Sequence, residues 1–249
     1  MSQPDLSETA AATDVTAGAR RGGLRRALWV MLGALAVLLV FAVALIATLP
    51  VATLTRVAPL PPQVQSLAGT LWQGRAALRE GYVLTWTTDI EFAALTADLR
   101  LSGADTQLAG QARVFWRGAT VEGLTGRAGP GLLNLLEGTD GARCTMGARF
   151  VDVSGGWLGA AARAGGRIDL ADGRCETRAV GADVPAMTIA LGTQGRDAVA
   201  EITRADGGDL LGGLRVTGDR RAILRVEQAG AALVPGMPAS GPSQLEYPF

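Results

Sequence analysis

The sequence contains no histidine, and all 23 of its basic residues are arginine, so it contains no lysine either. Without histidine there is no Ser-His-Asp or Cys-His machinery and no imidazole ligand for a metal. Without lysine there is no Schiff-base chemistry and no phosphate-loop lysine. Aromatic residues make up only 5% of the chain, and asparagine occurs once, at Asn134. Acidic residues also number 23, so the formal net charge is zero; a nucleic-acid partner, which wants a basic face, is not expected. Glycine is abundant at 34, but neither Gly155-Gly156 nor the stretch from Gly207 to Gly213 has the spacing of a dinucleotide loop, and both read as turns. Asp206 and Asp209 are not followed by the ligand spacing of a calcium loop. No cofactor, no metal and no catalytic residue are expected, and the chain does not read as an enzyme.

What is present begins at the N-terminus. Residues 1–26 are polar, without apolar periodicity, and read as a disordered cytoplasmic tail. They end in Arg20, Arg21, Arg25 and Arg26, and residues 27–49 are then uncharged and almost wholly apolar. A run of roughly 20 apolar residues spans a bilayer core as a helix. Trp29 stands where an interfacial aromatic would stand, and the arginine cluster before the run keeps the N-terminus cytoplasmic. The competing reading is a cleaved signal peptide, whose apolar region is usually about 7–15 residues, shorter than this run. With an uncleaved anchor the expected location is the inner membrane, single-pass, with the bulk of the chain in the periplasm.

That location bears on the two cysteines, Cys144 and Cys175. Disulfides persist outside the cytoplasm, and two cysteines allow one intramolecular pairing. Two buried free thiols are the alternative; a metal or redox pair is disfavoured by the lack of a CxxC spacing and of histidine.

Residues 50–66 are proline-rich and read as a stiff linker. From residue 67 to 234, short runs alternate apolar and polar residues: Tyr82–Thr87, Leu95–Leu101, Gln111–Trp116, Ala148–Val153, Gly166–Leu170, Met187–Leu191, Val199–Thr203 and Ala222–Val226. Period-two alternation punctuated by glycine and aspartate predicts antiparallel strands. Asp172-Gly173 reads as a hairpin turn. One helix is predicted at residues 130–137, started by Pro130 and stopped by Gly138; its leucines are expected to cap an open end of the sheet. Residues 235–249, rich in Pro, Ser and Gly, read as an extended C-terminal tail. The expected fold is therefore mainly β: an N-terminal transmembrane helix followed by an elongated or curved antiparallel β-sheet domain.

One stretch is more distinctive, Leu67-Ala68-Gly69-Thr70-Leu71-Trp72-Gln73-Gly74, followed by Leu84-Thr85-Trp86. It resembles the signature of the type II secretion system protein N (GspN) family, in which a Gly-Thr-(Leu/Val)-Trp-x-Gly motif near the start of a periplasmic β domain is followed by a strand with a Leu-x-Trp pattern. The matching positions are Gly69, Thr70, Leu71, Trp72, Gly74 and Trp86, and the residue-level match is confined to residues 67–86; the cysteine pair lies outside it. The resemblance implies an inner-membrane component of a type II secretion system with a structural or assembly role. Its partners would be the inner membrane, the inner-membrane platform proteins and the secretin side at the outer membrane. Glycines beside a tryptophan suit close backbone approach around a large ring, so Trp72 and Trp86 are expected in the core, as are Trp116 and Trp157; docking of a partner is the alternative role. A different class of function remains open, an envelope lipid-handling protein with an apolar sheet groove. A continuous apolar face would favour lipid; a filled, closed core would favour a scaffold.

Overall fold

The computed structural model describes residues 31–41, 61–92, 94–136, 143–176, 181–233 and 241–248. Two compact units result, residues 1–49 and residues 50–249. In the first, residues 31–41 form helix α1. Leu38, Leu39, Val40 and Phe41 follow one another and are all exposed; at about 100° per residue, four successive positions put apolar side chains on every side of the helix. No helix among the described residues is long and apolar enough to cross a membrane. The remainder of the expected span, residues 27–30 and 42–49, lies outside the described residues, as does the tail 1–26.

Among its described residues the second unit has sixteen strands: β1 (Val64–Gly69), β2 (Gln73–Leu78), β3 (Val83–Glu91), β4 (Ala94–Ser102), β5 (Gln107–Phe115), β6 (Gly118–Ala128), β7 (Arg143–Cys144), β8 (Ala148–Leu158), β9 (Ala161–Leu170), β10 (Gly173–Glu176), β11 (Gly181–Val184), β12 (Met187–Gln194), β13 (Asp197–Arg204), β14 (Leu210–Val216), β15 (Arg221–Val226) and β16 (Ser243–Pro248). Helices α2 (Pro130–Leu136) and α3 (Gln228–Ala231) interrupt them. Thirteen strands form one antiparallel sheet, paired in chain order from β1 to β16; β7, β10 and β11 leave it to make a separate three-stranded sheet in the order β11-β10-β7.

The register explains the alternation in the sequence. Residues directly opposite one another share a face. Leu67, Ala76, Leu84, Leu101, Leu108, Gly126, Phe150, Ile168, Ile189, Ile202, Gly212 and Val226 are successive partners across twelve strands, ending at Ser243 on β16. At a strand spacing of about 4.8 Å this apolar row runs about 60 Å along the sheet. The opposite face is polar: Arg127, Arg149, Asp169 and Thr188 are one such row of partners. The core is thin. Among the described residues no large side chain is fully buried, and the buried cluster of Tyr82, Leu108, Ala128, Leu132, Leu135 and Ala148 lies where α2 packs over the apolar face. This is the capping role expected of the helix.

Several expectations change. Gly155 and Gly156 lie inside β8, and Gly212 and Gly213 lie inside β14, so these four are not turns, whereas Gly207 and Gly208 do lie in the turn between β13 and β14. A side chain on Gly156 would stand 2.2 Å from the Ala119 carbonyl oxygen; the neighbouring backbone of β6 comes too close for a Cβ, in the regular ladder just before the register of β8 against β6 shifts. Asp172-Gly173 does not close a hairpin. It is where the chain leaves β9 for the small sheet. The expected tail 235–249 is in part strand β16, which pairs with β15 over six residues.

Candidate functional site

The motif residues form the first hairpin. Gly69 ends β1 at φ +102°, and a side chain there would stand 2.3 Å from the Gln73 carbonyl oxygen, so only glycine fits. The Thr70 N–H donates to the Gln73 carbonyl (2.8 Å), and the Thr70 hydroxyl accepts the N–H groups of Trp72 (3.2 Å) and Gln73 (3.3 Å). The short polar side chain thus holds the turn as a threonine turn does. The next hairpin ties to it: Thr88 donates its N–H to the Trp72 carbonyl (2.6 Å) and its hydroxyl to the Leu71 carbonyl (2.9 Å), and the Trp86 indole N–H donates to the Thr70 carbonyl (3.3 Å). A Cβ on Gly74 would lie 2.2 Å from the Trp86 ring, so Trp86 rests on bare backbone. The structure brings Gly69, Thr70, Leu71, Trp72, Gly74 and Trp86 together as one packed corner. Trp72 and Trp86 are partly buried, and Leu71 is exposed.

Cys144 and Cys175 face each other across β7 and β10 and are joined, S–S 2.06 Å, with no free cysteine among the described residues. The small sheet so stapled is tied to α2 by the single asparagine. Asn134 accepts the Cys144 N–H (2.9 Å) and donates to the Cys144 carbonyl (3.3 Å). Thr145 and Arg174 add reciprocal bonds beside the bridge.

Nothing in the sequence pattern announces a third group, around Tyr82. This tyrosine is only 3% exposed and sits in a slot of glycines: side chains at Gly103, Gly129 or Gly131 would strike its ring, Asp105, or its hydroxyl. Its hydroxyl donates to Asp105 (2.7 Å), which also accepts the Thr106 hydroxyl (2.9 Å) and the Gly131 N–H (3.0 Å) at the start of α2. Burial, and after it the adjacent Asp105, pushes the Tyr82 phenol above its usual range. The Tyr82 hydrogen bond, reinforced by those of Gly131 and Thr106, holds the Asp105 carboxyl below its usual range despite the opposing effect of burial. Both shifts are what a structural clamp between the β4–β5 turn and α2 produces.

Trp116 is not in the core. It is 86% exposed at the β5–β6 turn, with Arg117 stacked 5.1 Å from its ring centre. Phe92, at the β3–β4 turn, is fully exposed. Trp157 is partly buried, on the apolar face opposite Ala119.

Chemically, the arrangement offers contact surface. Among the described residues no group of three acidic or cysteine side chains is placed to hold a metal ion. Apart from the Tyr82–Asp105 pair, the resolved shifts belong to exposed ion-paired groups: Arg174 with Asp183 and Glu176, and Asp219 with Thr217 and Arg221. Comparison with protein-family models, with curated proteins and with solved structures finds no match to this chain.

Proposed function

We propose that this chain is a single-pass inner-membrane component of a type II protein secretion system that works by contact in the periplasm and catalyses nothing. The observation that carries the reading is the first hairpin. The Gly-Thr-Leu-Trp-x-Gly segment and the Trp86 strand, which resemble the GspN signature at separate points of the sequence, fold into one interlocked corner. The all-round apolar surface of α1 supports residues 27–49 as the transmembrane anchor, with residues 1–26 cytoplasmic and the sheet beyond the membrane as an elongated platform. The disulfide agrees with a periplasmic address. Platform proteins at the inner membrane and the secretin side at the outer membrane are the partners in this reading, and the open edges β1 and β16 are available for strand addition. The test is affinity purification of the tagged full chain from native membranes. Recovery of secretion-platform subunits is the expected result; their absence, with intact secretion in a deletion strain, would reject membership.

A second reading, an envelope lipid-handling protein, is favoured by one observation: the apolar row crosses twelve strands, and among the described residues the buried cluster under α2 occupies only its stretch around β5, β6 and β8. Photo-cross-linking from Ile189 and Ile202 in the apolar row separates the two readings, because phospholipid seated there, away from anchor and rim, belongs to the second alone.

A further inference from the structure

The end of the sheet away from α2 is a rim of hairpin turns. Ala94 is the partner of Phe115, which places the Phe92 turn beside the Trp116 turn. The Gly159 N–H donates to the Arg117 carbonyl (2.8 Å), which joins the β8–β9 turn to it. Arg196, in the β12–β13 turn, donates through its guanidinium to the Ala160 carbonyl (2.9 Å). Gly218, in the β14–β15 turn, packs on that same carbonyl. Five turns thus form one continuous edge.

Two chemistries meet there. Phe92, Trp116 and Leu158 stand exposed on three consecutive turns, and Ile90, Leu95 and Val114, partners in one cross-strand row, are exposed directly behind them. Arg117, Arg196 and Arg220 lie in the turns themselves and Arg163 just inside β9; none of these four has a carboxylate partner among the described residues. Of the carboxylates near the rim, Glu91 faces Arg113, Asp197 faces Arg215 and Asp219 faces Arg221, while Asp89, two ladder positions inside β3, pairs with no arginine among the described residues. Exposed Trp and Phe flanked by uncompensated Arg is the composition that enters the headgroup region of a bilayer, with rings at the acyl boundary and guanidinium groups among phosphates.

We propose that this rim docks on an anionic lipid surface, inserting Phe92, Trp116 and Leu158 between the headgroups while Arg117, Arg163, Arg196 and Arg220 contact the phosphates. The charge pattern selects this occupant over a protein: the arginines without carboxylates border the exposed apolar side chains, and a lipid surface supplies unpaired anions in any geometry. The proposal is independent of membership in a secretion system.

The test uses the full chain reconstituted in phosphatidylcholine vesicles with and without phosphatidylglycerol. The difference in emission between wild type and Trp116→Phe isolates the Trp116 signal from the other tryptophans. In vesicles of brominated lipid containing phosphatidylglycerol, that signal should be blue-shifted and quenched. Phe92→Ser with Leu158→Ser should relieve the quenching, and Arg117→Gln with Arg196→Gln should remove its dependence on phosphatidylglycerol. Circular dichroism and an intact disulfide establish that each variant is folded. Emission that is unquenched, or equally quenched without phosphatidylglycerol, overturns the proposal. Unquenched emission together with a dimer that Phe92→Ser dissociates assigns the rim to a second copy and overturns it as well.

Discussion

The two ends of the large sheet are opposites. The α2 end carries the long connections as well as short turns, and it is fastened: leucines of the helix over the apolar row, Tyr82 clamped to Asp105, Asn134 gripping Cys144, and a disulfide closing the small sheet. At the other end the connections are tight turns, and the same apolar face emerges uncovered. Along β5 alone, exposure climbs from 8% at Leu108 to 50% at Val114, with Trp116 in the following turn at 86%. One sheet therefore divides its labour by position along the strands. Apolar side chains stabilise where something covers them and are left for a partner where nothing does.

The largest blow to this contrast should come from the bridge. Cys144→Ser with Cys175→Ser opens a loop spanning 31 residues, which loop-closure entropy values at about 3–4 kcal/mol; urea unfolding of the double variant measures it. Leu132→Ala, under the helix at 4% exposure, should cost about 3 kcal/mol by the same measurement. Asp105→Ala strands the buried Tyr82 hydroxyl and should cost about 1–3 kcal/mol. Its pH signature is separable. Because the folded carboxyl titrates lower than the unfolded one, its contribution is complete above the ordinary carboxylate range and vanishes as pH falls through the depressed value. Because the phenol titrates higher when folded, the Tyr82 contribution is complete below the ordinary phenol range and vanishes as pH rises through the raised value. Acid unfolding curves of wild type should therefore fall more steeply than those of Asp105→Ala. The smallest effect belongs to the rim: Phe92→Ser and Trp116→Ser should each change stability by less than about 0.5 kcal/mol. A loss there equal to that of Leu132→Ala would erase the distinction between the two ends.

Much of the sheet was legible because its period is two. All eight runs singled out by alternation overlap strands of the large sheet, and only Tyr82 and Trp116, at the ends of two runs, fall just outside β3 and β5. The missed strands hide their alternation behind glycine. In β6 and β14 one face is partly built from Gly126 or Gly212, which the apolar row uses as gaps over which neighbours lie. The Gly69–Gly74 hairpin was legible as a structural motif; the hydrogen bonds that tie it to Trp86 and Thr88 were not, since they cross 16 or 17 residues. The Tyr82–Asp105 clamp was invisible for a similar reason: Asp105 sits in a stretch that reads like any polar turn, 23 residues away. The one available signal was the scarcity of tyrosine, which occurs twice in the chain. Scarcity misled at Trp116. An aromatic-poor domain was expected to bury each tryptophan, but Arg117-Gly118 follows directly, and a turn there carries the ring out of the sheet.

The order of pairing has a consequence for how such a molecule comes into being. Apart from the excursion through β7, β10 and β11, each strand of the large sheet finds its partner in the segment just before it. Closing each hairpin fixes only a short loop, so the entropy of each step is small and ladder growth is local. A chain that emerges amino-terminus first can therefore zip strand upon strand as it appears, beginning at the Gly69–Gly74 corner, with no need to wait for its last residues. The exception is the detour between β6 and β12, whose two cysteines are 31 residues apart. It is the step where assembly must pause for a later segment, and it is the step the chain closes with a covalent bond.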